Sequence, residues 1–356
     1  MANDPRDLDG KRLQKAMHQL GRNAPLRKEL TELLIRAEGS LEHRGSIRDD
    51  ITGPIVDALH DDNDTYEKAL ADGTKLRFLF RTKIARDFLM ASESSPTHVW
   101  EPQTTKMLMV LSGAIRGDVL VGGAYFGDQA ILVARNVRQR AVRVHCFEPN
   151  LQQAAMLEQN IKLNGLENVC VNRMGLWSES SVRLKLDGFD SFANAVAITD
   201  DEDGFETISI DDYRGQCGID VGLIQLDIEG AELKALQGAV KTIVQNKPHI
   251  VFEVHRDYVD WSAGLQSTDI CKLLISNKYS VYAVRDFNTH RDMPGKPVEL
   301  IPLDKVYLEG PPNGFNMVAT QDPSIFRTPH FKFVEGVSPK LLLHKTADLH
   351  HPTDGL

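Results

Sequence analysis

An α/β fold is predicted, with a mostly parallel sheet covered by helices on both faces. Three observations predict it. From about residue 104 onward, short apolar runs alternate with helical stretches. A glycine-rich turn, GGAYFG at 122–127, follows the first of those runs and opens a helix. An acid, Glu148, closes the next run in FEPN, 147–150.

Residues 1–105 read as a helical amino-terminal region. Pro25 opens a stretch in which Leu26, Leu30, Leu33 and Leu34 share one helical face. KLRFLFRTKIARDFLMA, 75–91, reads as a second amphipathic helix. The DDND run at 61–64 lacks the glycine and the distal glutamate of a calcium loop, so it reads as a solvated turn.

Residues 106–320 carry the alternation. MLMVL (107–111) reads as helix and DVLVGG (118–123) as strand. DQAILVARNVRQ (128–139) is helix, RVHCFE (143–148) strand, LQQAAMLEQNIKLN (151–164) helix and NVCVNRM (168–174) strand. VRLKL and FETISI, within 182–210, suggest an inserted hairpin. Strand VGLIQLDIEG (221–230), helix AELKALQGAVKTIVQN (231–246) and strand HIVFEVH (249–255) then resume the pattern. STDICKLLISN (267–277) is helix and YSVYAV (279–284) strand. A long loop, 285–313, precedes a last strand GFNMVAT (314–320), which suggests an antiparallel ending. Residues 321–356 read as an irregular carboxyl-terminal extension, with the histidine pair at 350–351 in a disordered tail.

A chain of 356 residues with 42% hydrophobic and 26% charged residues buries a full core. Its net charge of −9 argues against broad nucleic-acid binding. The polar start, MANDPRDLDGKR, lacks the apolar segment of a secretory signal. No apolar run approaches the roughly 18 residues of a membrane span. Cys146, Cys170, Cys217 and Cys271 show no CxxC spacing and read as reduced thiols. A cytoplasmic protein without nucleic-acid or membrane partners is therefore expected.

Gly123 and Gly127 let the backbone turn tightly and approach a ligand at the carboxyl ends of the strands. Close strand–helix packing is the simpler explanation of that turn taken alone. Glu148 can accept hydrogen bonds from both ribose hydroxyls of an adenosine ligand. A dinucleotide fingerprint needs GxGxxG, and the central GxG is absent here. Asp128 at the helix start repels a pyrophosphate but suits a cationic sulfonium with an amino group. S-adenosylmethionine (AdoMet) therefore outranks NAD, and an NAD-dependent oxidoreductase is the weaker alternative.

At this point a family can be compared. GGAYFG (122–127), FEPN (147–150), NIKLNGLENV (160–169), ISIDD (208–212), LIQLDIEGAELKALQGA (223–239) and IVFEVH (250–255) resemble FkbM-type methyltransferases. The resemblance spans about residues 115–320. It implies a Rossmann-like class I methyltransferase fold with a seven-stranded sheet, and AdoMet as cofactor. It also implies O-methylation, most often of a hydroxyl on a sugar or secondary metabolite. Three departures stand out. Val121 replaces the family's usual aspartate, Tyr125 its asparagine in the turn, and Gln225 its lysine before the acidic block. The first two imply either an altered amino-acid-end contact, with Asp118 or Asp128 substituting, or weak cofactor binding. They also motivate a third reading, a catalytically impaired partner protein. The resemblance leaves the helical region uncovered. It is open to use as a cap over the substrate or as a homodimer contact.

An aliphatic hydroxyl must lose a proton during methyl transfer, which calls for a base or a metal. Asp227 and Glu229 end one strand, Glu253 and His255 the next. His255 titrates nearest neutrality and is the candidate base, oriented by Glu253 two residues away. Asp227 is the alternative base, or a contact for the methionine amino group. A strand-end histidine without a chemical role is the plain alternative. Glu229 and Glu232 can simply favour a helix amino terminus, and Asp211 and Asp212 a short helix start. A metal at Asp227, Glu253 and His255 ranks below metal-free catalysis. Trp177, Phe189 and Phe192 are candidates to approach the adenine, Trp177 foremost.

Overall fold

The structure, a computed structural model, describes residues 5–91, 96–187, 194–197, 204–289, 291, 293–308 and 314–355. Helices α1 (Pro5–Gly21) and α2 (Ala24–Glu38) come first. Asn23 caps α2 by accepting the Leu26 N–H, and Pro25 sits in its first turn. After α3 (Gly53–Leu59) the chain forms a hairpin, β1 (Thr65–Ala69) antiparallel to β2 (Lys75–Leu79). The helix expected over 75–91 is thus corrected. Its first part is β2 and its last part is α4 (Lys83–Leu89), capped by Thr82. Leu76 and Phe78 alternate with Lys75 and Arg77, so a period of two buries one face. The same apolar residues also satisfy a helical period, which is why the pattern misleads.

Then α5 (Pro102–Ala114), β3 (Asp118–Gly122), α6 (Asp128–Val137), β4 (Val144–Phe147), α7 (Leu151–Leu163) and β5 (Val169–Asn172) alternate as read from the sequence. The insertion folds as β6 (Gly175–Leu176), β7 (Arg183–Asp187), β8 (Asn194–Ala197) and β9 (Phe205–Ile208), a small separate sheet. Next come α8 (Ile210–Cys217), β10 (Val221–Leu226), α9 (Glu232–Gln237), α10 (Val240–Asn246), β11 (His249–His255), α11 (Asp269–Ser276) and β12 (Ser280–Arg285). The helix expected over 231–246 is broken at Gly238, and Asp211 caps its second half by accepting the Lys241 and Thr242 N–H groups. The chain ends with β13 (Val298–Pro302), β14 (Gly314–Thr320), β15 (Phe331–Phe333) and α12 (Ala347–His350).

The main sheet runs β15-β13-β12-β14-β11-β10-β3-β4-β5. Strands β5, β4, β3, β10 and β11 are parallel, and β14 lies antiparallel between β11 and β12. The antiparallel ending is as expected. The count is not: among the described residues nine strands stand where seven were expected. The extra β13 lies inside the expected 285–313 loop and β15 inside the extension. A charge at Glu299 interrupts the apolar pattern of β13. Burial is tolerated because fully buried Arg285 donates to Glu299 at 2.6 Å. Alternate strand residues feed two apolar cores. Val119 and Val121 face one, with α5, α6 and α7, while Leu120 faces the other.

The carboxyl-terminal segment is ordered rather than a loose tail. Arg285 donates to the carbonyls of Ser338 and Leu349, and His350 is buried. The rings of His350 and His351 lie at 3.1 Å from the Lys340 and Leu343 carbonyl oxygens. All four cysteines are free thiols. Among the described residues no helix is long and apolar enough to cross a membrane.

Candidate active site

Parallel strands β4, β3, β10 and β11 end at one edge of the sheet, where ligands of such folds bind. A cavity of about 290 Å³ opens there. Its floor is the turn after β3. Gly123 has φ +75°, and a Cβ there would sit 1.8 Å from the Asp227 carbonyl oxygen, so only glycine fits. Gly127 caps α6 at φ +92° without lining the cavity. Between them Tyr125 adopts φ +49°, and its phenol lies 3.3 Å from the Thr82 hydroxyl.

Glu148 faces this turn. One carboxylate oxygen accepts the Tyr125 N–H at 2.8 Å and the other the Asn150 N–H at 2.9 Å. The turn and the acid are therefore held by each other. Val121 and Trp177 also line the cavity, and Lys234 stands over the Trp177 ring at 6.0 Å. Phe189 and Phe192 lie outside the described residues. Asp128 lines the cavity, and burial pushes its carboxyl up to about 7. Asp118 starts β3 at the far edge, accepting the Arg143 N–H and pairing with His145. Of the two substitutes for the missing aspartate, only Asp128 reaches the site.

At the other end of the cavity acids converge. Carboxylate oxygens of Asp227, Glu229 and Glu253 lie within 4.8 Å of one another. No described residue hydrogen-bonds these three side chains. Burial pushes Asp227 up to about 6 and Glu229 up to about 8, and their mutual repulsion adds to the rise at Glu229. Glu253 is raised by burial and then by Asp227 and Glu229. Glu232 stays out of the cavity. It accepts the Ile228 and Gly230 N–H groups at 2.8 and 3.0 Å and so shapes the turn that carries Glu229.

His255 departs from the expected arrangement. It does not line the cavity, and Glu253 does not hydrogen-bond it. Its Nδ1 accepts the Asp257 N–H at 3.2 Å, which in the neutral ring leaves the proton on Nε2. A neutral ring so held presents a donor at Nε2. The Asp227, Glu253 and His255 metal set is not brought together either; among the described residues Glu229 stands in the place of His255. The room for Glu253 and His255 comes from Gly314, where a Cβ would meet Glu253 Oε1 at 2.3 Å and His255 Cδ2 at 2.6 Å.

The amino-terminal region contributes residues that sequence reasoning missed. Lys83, Trp100 and Glu101 line the cavity. Glu101, at φ +52° just before Pro102, accepts from the Asn316 amide at 2.6 Å. Burial pushes it up to about 8. The one signal for it was an acid immediately ahead of a proline at a helix start.

A carboxylate facing a glycine turn, and an acid-rich wall opposite, fit a cationic adenosine ligand and not a pyrophosphate. With the strand order, they have the layout of a class I methyltransferase fold. Residues 122–281 match the methyltransferase FkbM domain, the family that the motifs of this chain resemble. No curated protein gives a significant match. Among solved structures, an FkbM methyltransferase from Methylobacillus flagellatus is 18% identical, with a TM-score of 0.35. That match covers 60% of this chain and 47% of the other, so this chain spans about half of that relative. TYW2 of M. jannaschii, solved with AdoMet, is 14% identical over 73% of this chain and 87% of its own, at TM-score 0.37. A SAM-dependent methyltransferase from Agrobacterium tumefaciens is 11% identical over 74% and 72%, at TM-score 0.39.

Proposed function

We propose that the chain methylates an oxygen of a small hydroxylated acceptor, a sugar or secondary metabolite, with Glu253 or Asp227 as the base. The convergence of unpartnered acids at one end of the cavity carries this reading. AdoMet, when bound, supplies an electrophilic methyl group on a sulfonium. Glu148 binds the ribose hydroxyls, Gly123 admits the close approach, and Trp177 packs on the adenine. Asp227 and Asp128 face the positive end of the ligand. Glu253, in its ionised form, would take the hydroxyl proton as that oxygen gains the methyl group. Trp100 offers an apolar face and Glu101 an acceptor for a polyhydroxylated ring, so residues 1–105 act as a cap.

The test is transfer of isotope-labelled methyl from AdoMet to a panel of sugars, phenols and amines, read by mass spectrometry and NMR. A methyl ether is expected. Label found on nitrogen or carbon, with none on oxygen, removes the proposal.

A further inference from the structure

The carboxyl-terminal segment reaches the acid-rich end of the cavity from behind. Arg285 donates from Nε to Ser338 O and from Nη2 to Leu349 O, each at 2.8 Å. The Asp286 N–H donates to Pro339 O at 2.9 Å, and the Leu341 N–H to Asp286 O at 2.8 Å. These bonds place Lys340 in a parallel bridge with Asp286. Lys340 is only 3% exposed. Its Nζ donates to the side-chain oxygen of Asn288, and Asn288 lines the cavity. Asp286 also accepts the N–H groups of Gln103 and Thr104 at 3.0 and 2.6 Å, two and three residues past Glu101. The segment, the start of α5 and the cavity wall are thereby tied together.

A buried ammonium is sustained only by anionic neighbours. Burial lowers the affinity of Lys340 for its proton, and the charges of Glu101 before α5, Glu253 on β11 and Asp286 after β12 oppose that fall. Asp227 after β10 feels its charge too, as does the His255 ring, and Lys83 on α4 is the like charge. No described carboxylate forms a direct ion pair with it, so it acts through its field. We propose that Lys340 is a positioning residue for methyl transfer: its ammonium, held on Asn288 by the carboxyl-terminal segment, offsets part of the mutual repulsion of the cavity acids and so lowers the pH at which they ionise and can accept a proton. Its catalytic consequence rests on assigning that end to the acceptor; the electrostatic claim does not.

Removing the charge leaves protons on the acids up to higher pH. Binding of cationic AdoMet must then expel them. Lys340→Met should release more protons per AdoMet bound near pH 7, counted by calorimetry in buffers of different ionisation enthalpy. The acid limb of AdoMet affinity should move up by about one pH unit, with S-adenosylhomocysteine less affected. Lys340→Arg should return both toward the parent. Unchanged proton release and an unchanged limb in a folded Lys340→Met protein overturn the proposal. Should that variant not fold, lysine-labelled NMR of the parent decides. The Lys340 Nζ signal should inflect between about pH 5 and 9 as its neighbours titrate, and a flat signal overturns the idea. Both readouts use cofactor alone, so transfer to nitrogen rather than oxygen leaves them unaffected.

Discussion

The two ends of the cavity hold their acids in opposite ways. Glu148 is gripped by two backbone N–H groups, one from the glycine turn and one from the start of α7. Asp227, Glu229 and Glu253 have no such grip and crowd one another within 4.8 Å. Hydrogen bonding to a carboxylate favours its charge, while burial beside like charges favours its proton. A fixed charge suits a group that binds the same hydroxyls throughout. A group poised to gain a proton suits the place where one is released.

The sharpest way to break this contrast is to neutralise one acid at each end. Glu253→Gln should lower turnover by about 10²- to 10⁴-fold and leave AdoMet affinity within a few-fold. Initial rates and calorimetry on the same preparation check both. Equal turnover would move the base to Asp227. Glu148→Ala should instead weaken AdoMet binding by about 10- to 100-fold, the loss of hydrogen bonds to a charged group. Unchanged affinity would detach Glu148 from the ribose.

pH sharpens the comparison further. Asp128, Asp227, Glu101, Glu229 and Glu232 have values raised to between about 6 and about 8, burial leading in each case. Between about pH 4.5 and 8 the folded chain therefore holds protons that the unfolded chain has released. Stability is full below that window and falls as pH rises through it. The melting temperature without ligand should drop by a few degrees from pH 5 to 8, less with AdoMet bound. A flat or rising profile would mean the acids are more hydrated than their burial implies. The smallest effect belongs to His255→Gln, which should change turnover less than about three-fold, since its Nδ1 already accepts a backbone N–H. A loss as large as that of Glu253→Gln would restore His255 as the base.

Much of this was legible in advance. The parallel strands, the glycine turn, Glu148 and the acids of LDIEG and FEVH all stand where their motifs imply, because strand ends of a parallel sheet share one edge. Three features were illegible. Strand β13 hides behind the charge of Glu299, which only Arg285 explains. Strand β2 satisfies two periods at once. Glu101, Trp100 and Lys340 carry no motif, and they come from opposite ends of the chain.

What the sequence determined by itself is the local chemistry: which runs form the parallel strands, where the backbone must turn, and which strand ends carry acids. Those depend on residues close in the chain. The company those acids keep was decided only by the tertiary structure. A carboxylate's affinity for protons depends on its burial and on charges arriving from distant segments, and neither is written in the spacing of a motif.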